Sequence, residues 1–293
     1  ALTDDWQCVY VGTAEDPYKI YTTAHLDLLA QRVNSGAYSY EGKYFLLMND
    51  LCYEHTSAWN DPTSTENNYT AIGCLFNDGT DRDYRFCGHF LGDGHTISGI
   101  RIYKNDNNQG LFGQLGEGAE VSGVTLTDTR ISAGNAAGGI VGGNFGGYVT
   151  DCHVESDVAL LCLKSYAKYF GGIVGNNESG TITDCTSAVT IMLMSNVSSG
   201  YAFGSIVGFN NEGTITNCRA IGAIVPAVDD AGAVVGDNYL GIMSNNTYHS
   251  CLVGTNAFNI GIGNSYDGIN SYDGFDLSGK AELDNTALHL FDN

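Results

Sequence analysis

Basic residues are the first scarcity. The 293-residue chain carries 12 Lys plus Arg against 33 Asp plus Glu, a formal charge of −21. Such a surface repels phosphate backbones and anionic headgroups, so nucleic acid and polyanionic glycans are poor partners. Attraction of Ca²⁺ is compatible with the charge, but an acidic surface more often serves solubility, and no cofactor is expected. No apolar run approaches the roughly 18 residues of a membrane-spanning helix, so direct membrane insertion is not expected. The opening "ALTDDW" lacks the basic-then-apolar pattern of a secretion signal. Nine cysteines include no CxxC, and the 7 histidines show no zinc spacing, which argues against a metal site. Proline is down to 3.

Glycine is abundant instead, at 39 residues, and 43% of the chain is hydrophobic, enough for a sizeable core. The stretch "GGIVGNNESGTITDC" at 171–185 is nearly rewritten as "GSIVGFNNEGTITNC" at 204–218. Aligning such units places Ile97, Val121, Val149, Ile182, Ile215 and Met243 in one column. Ile100, Val124, Cys152, Cys185, Cys218 and Asn246 follow three residues later. The intervals run from 24 to 33 residues, and a turn glycine precedes each unit, from Gly94 and Gly118 to Gly241. Repeats of this period, made of short β-branched runs with no helical periodicity, exclude ankyrin, tetratricopeptide and leucine-rich patterns. They describe the turns of a parallel β-helix, in which each coil buries its apolar face only against the next.

Stacking then predicts columns of like side chains. Cys152, Cys185 and Cys218 are expected as reduced, inward-facing core residues. Asn144, Asn177, Asn210 and Asn238 are expected as an amide ladder. The open ends of a coil call for caps. A helix is predicted at 23–35, with Thr23 and Asp27 as N-terminal acceptors and Leu26, Leu29 and Val33 as its apolar stripe. The expected organisation is an N-terminal cap at 1–44, coils at 45–262 and a C-terminal cap or tail at 263–293.

Several segments then carry a resemblance. "YTTAHLDLLAQRVNSG", "KYFLLMNDL", "FCGHFLGDGHTISGIRI", "GLFGQLGEGAEVSGVTL" and the "GGIVG…GTITDC" units occur in order over residues 18–250. In this the chain resembles bacterial surface and secreted proteins with GLUG-motif repeats. The resemblance implies an all-β fold, a right-handed single-stranded parallel β-helix (β-solenoid) of the pectate-lyase type with a short N-terminal capping helix. It also implies an extracytoplasmic location, at the cell surface or secreted, and an adhesin-like binding or spacer role without enzymatic activity. It transfers no catalytic residue. Some relatives join the repeats to a zinc peptidase domain, but no HExxH occurs here.

Candidate chemistry is sparse. Asp151 and Asp184 share a column, but Asn217 and Asn245 continue it, so a structural role is expected. Asp93 and His95 lie in "GDGHTISG", which reads as a tight bend. Arg82, Arg85, Arg101, Lys104 and Arg130 would be needed by a polysaccharide-cleaving enzyme, the rival reading on the same fold, yet interspersed aspartates suggest ion pairs. The sequons at Asn68, Asn177, Asn196 and Asn245 imply nothing by themselves. For binding an extracellular glycan or a cell-surface protein, the expected residues are Lys164, Tyr166, Lys168 and Tyr169, with Tyr266 and Tyr272 before their Asp-Gly turns. The catalytic and metal sets are expected to be empty.

Overall fold

A computed structural model describes residues 10–61, 63–75, 83–164, 166–193, 199–225 and 231–248, and the strands at 252–253, 256–257 and 262–265. Tyr266, Tyr272 and nearly all of the expected C-terminal cap lie outside the described residues.

The chain is a β-solenoid of about seven turns. Each regular coil visits four faces. The first holds Glu120–Ser122, Tyr148–Thr150, Thr181–Thr183, Thr214–Thr216 and Ile242–Ser244. The second holds Thr125–Thr127, His153–Val154, Thr186–Ser187, Arg219–Ala220 and Thr247–Tyr248. The third runs as one long strand in Arg130–Gly138 and as two pieces in later coils, such as Ala159–Cys162 and Tyr166–Gly171. The fourth holds Phe112–Leu115, Val141–Phe145, Val174–Glu178, Val207–Asn211 and Val235–Tyr239. Equivalent strands of successive coils pair in parallel, in register.

Parallel pairing stacks identical positions at about 4.8 Å, so the core is built in columns. On the first face Phe45, Phe90, Val121, Val149, Ile182, Ile215 and Met243 lie one above another, all buried. Each such side chain stabilises the coil by about 1.5–3 kcal/mol relative to exposure. The sequence alignment of the first unit is corrected here. Ile97 belongs to the second face, paired with Leu51 and Leu126, and Phe90 holds the place above Val121. "GDGHTISG" misled because its glycine and β-branched residues form a different corner of the coil: Asp93 and Gly94 take left-handed φ of 51° and 79°.

The corners explain which polar residues recur. Asp151, Asp184, Asn217 and Asn245 all sit at left-handed φ, between 51° and 56°. Asn and Asp tolerate that geometry better than other side-chain-bearing residues, so the column reflects backbone and not catalysis. The next corner before the first face carries Gly146, Ser179, Glu212 and Leu240, again at left-handed φ. The glycines that follow, Gly147, Gly180, Gly213 and Gly241, are required for a different reason. A Cβ at Gly180 would fall on Asn144 Nδ2 and Asn177 Oδ1, and the same clash recurs one coil on at Gly213.

The helix spans Thr23–Asn34 and is capped by Thr22, whose hydroxyl accepts from the His25 N–H. Thr23 is therefore the first helical residue and not the cap, and Asp27 accepts from the Tyr53 hydroxyl at 2.8 Å instead of serving the helix terminus. Leu26, Leu29, Ala30 and Val33 are buried in the same core cluster as Phe45 and Leu47 of the first coils. Asn34 joins the helix end to the chain at Ala71 and Gly73.

Candidate functional site

Two inward columns determine how rigidly the outer faces are held. Asn144, Asn177, Asn210 and Asn238 are fully buried. Each Nδ2 in the first three donates to the next Oδ1, at 2.9, 2.7 and 2.7 Å. Each amide also donates to the carbonyl three residues ahead, from Gly147 to Gly241. The second column is Cys152, Cys185 and Cys218, all buried and all free thiols. Burial, reinforced by Cys152 and Cys218 on either side, pushes the Cys185 thiol well above its ordinary range. Asn246 ends the column by accepting from the Cys218 N–H and donating to Ile215 O.

The expected binding residues part company. Tyr166 is 64% exposed and shares a side of its strand with exposed Lys168. Lys164 approaches Gly134 of the preceding coil. Tyr169 has a left-handed φ of 64°, which breaks the strand's alternation and swings its ring onto the fourth face. There it stacks on Phe209, centroids 4.7 Å apart and planes at 19°.

That fourth face is what sequence reasoning missed. Its outward positions carry Asn176, Phe209 and Asp237 in one column and Phe145, Glu178, Asn211 and Tyr239 in the next. The Asn176 amide donates to Glu178 Oε1 at 3.2 Å and the Asn211 amide to Glu178 Oε2 at 2.5 Å. Their own Oδ1 atoms are buried and lack a hydrogen-bond partner among the described residues. Burial, then the charges of Asp237 and Glu178, raise the Tyr169 hydroxyl pKa. Aromatic rings flanked by amides and carboxylates are suited to the faces and hydroxyls of a neutral sugar. The signal was present as "NNE", "FNN" and "DNY" in successive repeats, but only the inner Asn of each triplet shows a fixed column.

Of the remaining candidates, His95, Arg85 and Arg101 have structural partners, and Arg82 lies outside the described residues. His95 meets Asp50 at 3.1 Å, not Asp93, and Asp50 is held below the usual carboxylate range by the Thr96 N–H and then by His95. Arg85 pairs with Asp83 at 2.6 Å and lies over the Phe145 ring. Arg101 is buried and donates to the carbonyls of Ala58, Trp59, Asp61 and Ser64, which ties down the 53–69 loop. A cavity of about 590 Å³ lies between the helix and that loop. Several of its polar walls are engaged: Asn34 bonds the backbone at Ala71 and Gly73, and Asn68 bonds Glu54 O and Gly99 O. Among the described residues no three His, Cys, Asp or Glu side chains are grouped as for a metal ion.

Comparison with known proteins agrees with this architecture. The GLUG motif family model matches residues 166–192, one coil of the solenoid. A protein of Evansella cellulosilytica, provisionally named a Gly-rich membrane protein, is 36% identical over 139 residues, which is 46% of this chain and 14% of that protein. Halomucin of Haloquadratum walsbyi is 32% identical over 133 residues, 45% of this chain and 1% of its own length. The aligned segment is thus a small part of either relative. A Bacteroides ovatus crystal structure, described provisionally as an immunoglobulin A1 protease, superposes with a TM-score of 0.50 at 18% identity, over 82% of this chain and 76% of that one. At that identity the likeness concerns the fold alone.

Proposed function

We propose that this GLUG-motif β-solenoid is a non-enzymatic module of an extracytoplasmic protein, displayed at the cell surface or secreted, which presents its fourth face to extracellular glycan in an adhesin-like role. The observation that carries the reading is the Tyr169–Phe209 stack, flanked by Asn176 and Asn211 with unpartnered oxygens. Tyr169, Phe209, Asn176, Glu178 and Asn211 are each half-buried, so the rings and the polar groups around them are presented together to a ligand. Both Glu178 oxygens are held by amide donors, which suits a binding role better than proton transfer. The names of the two relatives, a membrane protein and a halomucin, support a surface setting, and the small share of each that aligns supports a module within a longer protein.

The test is a glycan array probed with the purified chain and with a Tyr169→Ala/Phe209→Ala double variant. Binding of neutral glycans by the parent, reduced in the variant, is expected. New reducing ends appearing in a bound glycan on incubation would overturn the non-enzymatic reading. Failure of the parent to retain any glycan would overturn the ligand class.

A further inference from the structure

A second concavity, of about 230 Å³, opens on the third face beside the 53–69 loop. Its walls include Trp59, Arg101, Arg130, Leu161 and Met192. Arg101 and Arg130 are Cα partners in adjacent coils, so the groove places two guanidinium groups together in a chain of charge −21. Their situations differ. Arg101 is buried and engaged by four loop carbonyls. Arg130 is partly exposed and uses only Nη1, donating to Thr129 O and Asp157 O. Its Nε and Nη2 donate to nothing among the described residues, and no carboxylate there stands within ion-pair distance of it. Asp157 supplies its backbone carbonyl, while its carboxylate accepts from Thr127 Oγ1 at 2.8 and 2.7 Å.

Apart from Asn60 and Ser132, the rest of the groove is apolar. Leu161 and Met192 are outward-facing partners in successive coils, half-buried and in line with Ser132. Trp59 offers no platform for a sugar ring. His55 stacks on it at 3.8 Å and 5°, Arg130 lies 5.4 Å from its centroid, and only 8% of it is exposed. The volume lies below the roughly 300–1,000 Å³ of sites for drug-sized ligands, so the groove suits one small residue and not a long acyl chain.

We propose that this groove binds the C-terminal residue of a peptide, an aliphatic side chain carried beside a free carboxylate. Arg130 Nε and Nη2 form the fork that receives the carboxylate in bidentate fashion. Leu161 and Met192, the latter an adaptable side chain, seat the aliphatic group. The site is independent of the glycan surface on the fourth face.

The probe is the acetylated tripeptide Gly-Gly-Leu, its C-terminal amide and decanoate, each titrated while the Trp59 indole resonance is followed by NMR. The free acid should shift that resonance saturably, with the amide weaker by about tenfold or more, the share of affinity a single charge-assisted hydrogen bond supplies. Arg130→Gln should reduce the acid to the level of the amide while the chain still unfolds in a cooperative thermal transition. Leu161→Glu, an outward substitution, should also abolish binding of the acid. Equal response to acid and amide, or undiminished binding by Arg130→Gln, overturns the proposal. Tighter binding of decanoate than of the peptide overturns the peptide source. If Arg130→Gln does not fold, Leu161→Glu decides, and retained binding by it overturns the assignment.

Discussion

At the scale of single residues, the asparagine column shows how one side chain serves three partners. Asn177 donates to Asn210 and to Gly180 O while accepting from Asn144, all out of water. Asn177→Ala leaves buried amides unmatched and should destabilise the chain by about 1–3 kcal/mol in denaturant titration. Gly180→Ala should cost at least as much, because its methyl would occupy space held by Asn144 and Asn177, and overpacking a rigid site costs about 1–3 kcal/mol. A change within error for both would mean the ladder does not hold the coil. The thiol column behaves as a hydrophobic one. Cys185→Val nearly keeps its volume and should be tolerated, whereas Cys185→Asp buries an unpaired charge and should prevent folding. In the native chain a maleimide should label exposed Cys52 and spare Cys185, whose thiol is buried and raised in pKa. Labelling of Cys185 at the rate of Cys52 would count against a closed core.

At the scale of elements, the helix meets the coil through a titratable contact. Asp27 is exposed at the wall of the cavity under the 53–69 loop, and partial desolvation there raises its pKa, opposed by the hydrogen bond from Tyr53. A carboxyl whose folded pKa lies above its unfolded value stabilises the fold when protonated. That contribution is full below the unfolded pKa and is lost as pH rises through the folded one. Asp27→Asn keeps an acceptor for Tyr53 without the charge. It should raise the thermal transition at neutral pH, with the gap closing as pH falls through the carboxylate range. A gap that widens in acid would contradict the assignment. The loop itself depends on Arg101, whose removal would leave the carbonyls of Ala58, Trp59, Asp61 and Ser64 without their donor.

At the scale of the molecule, the coil is a stack whose units share their apolar layers. We propose the division into an N-terminal cap at 1–44, coils at 45–262 and a C-terminal segment at 263–293 as parts of one structural domain. Stability in such a stack is close to a sum of unit and interface terms. Because 180–212 is one complete 33-residue repeat, its deletion brings Gly213 to the place of Gly180 and Asn238 beneath Asn177. The shortened chain should remain folded and melt cooperatively, as followed by circular dichroism. Loss of a cooperative transition would show that the units are not equivalent in the stack.

The sequence by itself determined the architecture, because β-solenoid packing repeats the same constraint every coil. Stacking writes Val149, Ile182 and Ile215, or Asn144, Asn177 and Asn210, at matching positions, and such columns are readable without coordinates. The helix was legible for the same reason, its apolar stripe recurring at helical spacing. Where the repeat is irregular the reading failed: Ile97 was assigned to the wrong face because the first coils carry inserted loops. The proposed binding surfaces were decided only by tertiary structure. A left-handed φ at Tyr169 turns its ring away from Tyr166, and parallel stacking brings Phe209 of the next coil beneath it. Arg130 meets Trp59 across 71 residues of chain. Outward side chains answer to solvent and ligand, not to the column above, so their positions carry no period from which such meetings can be read.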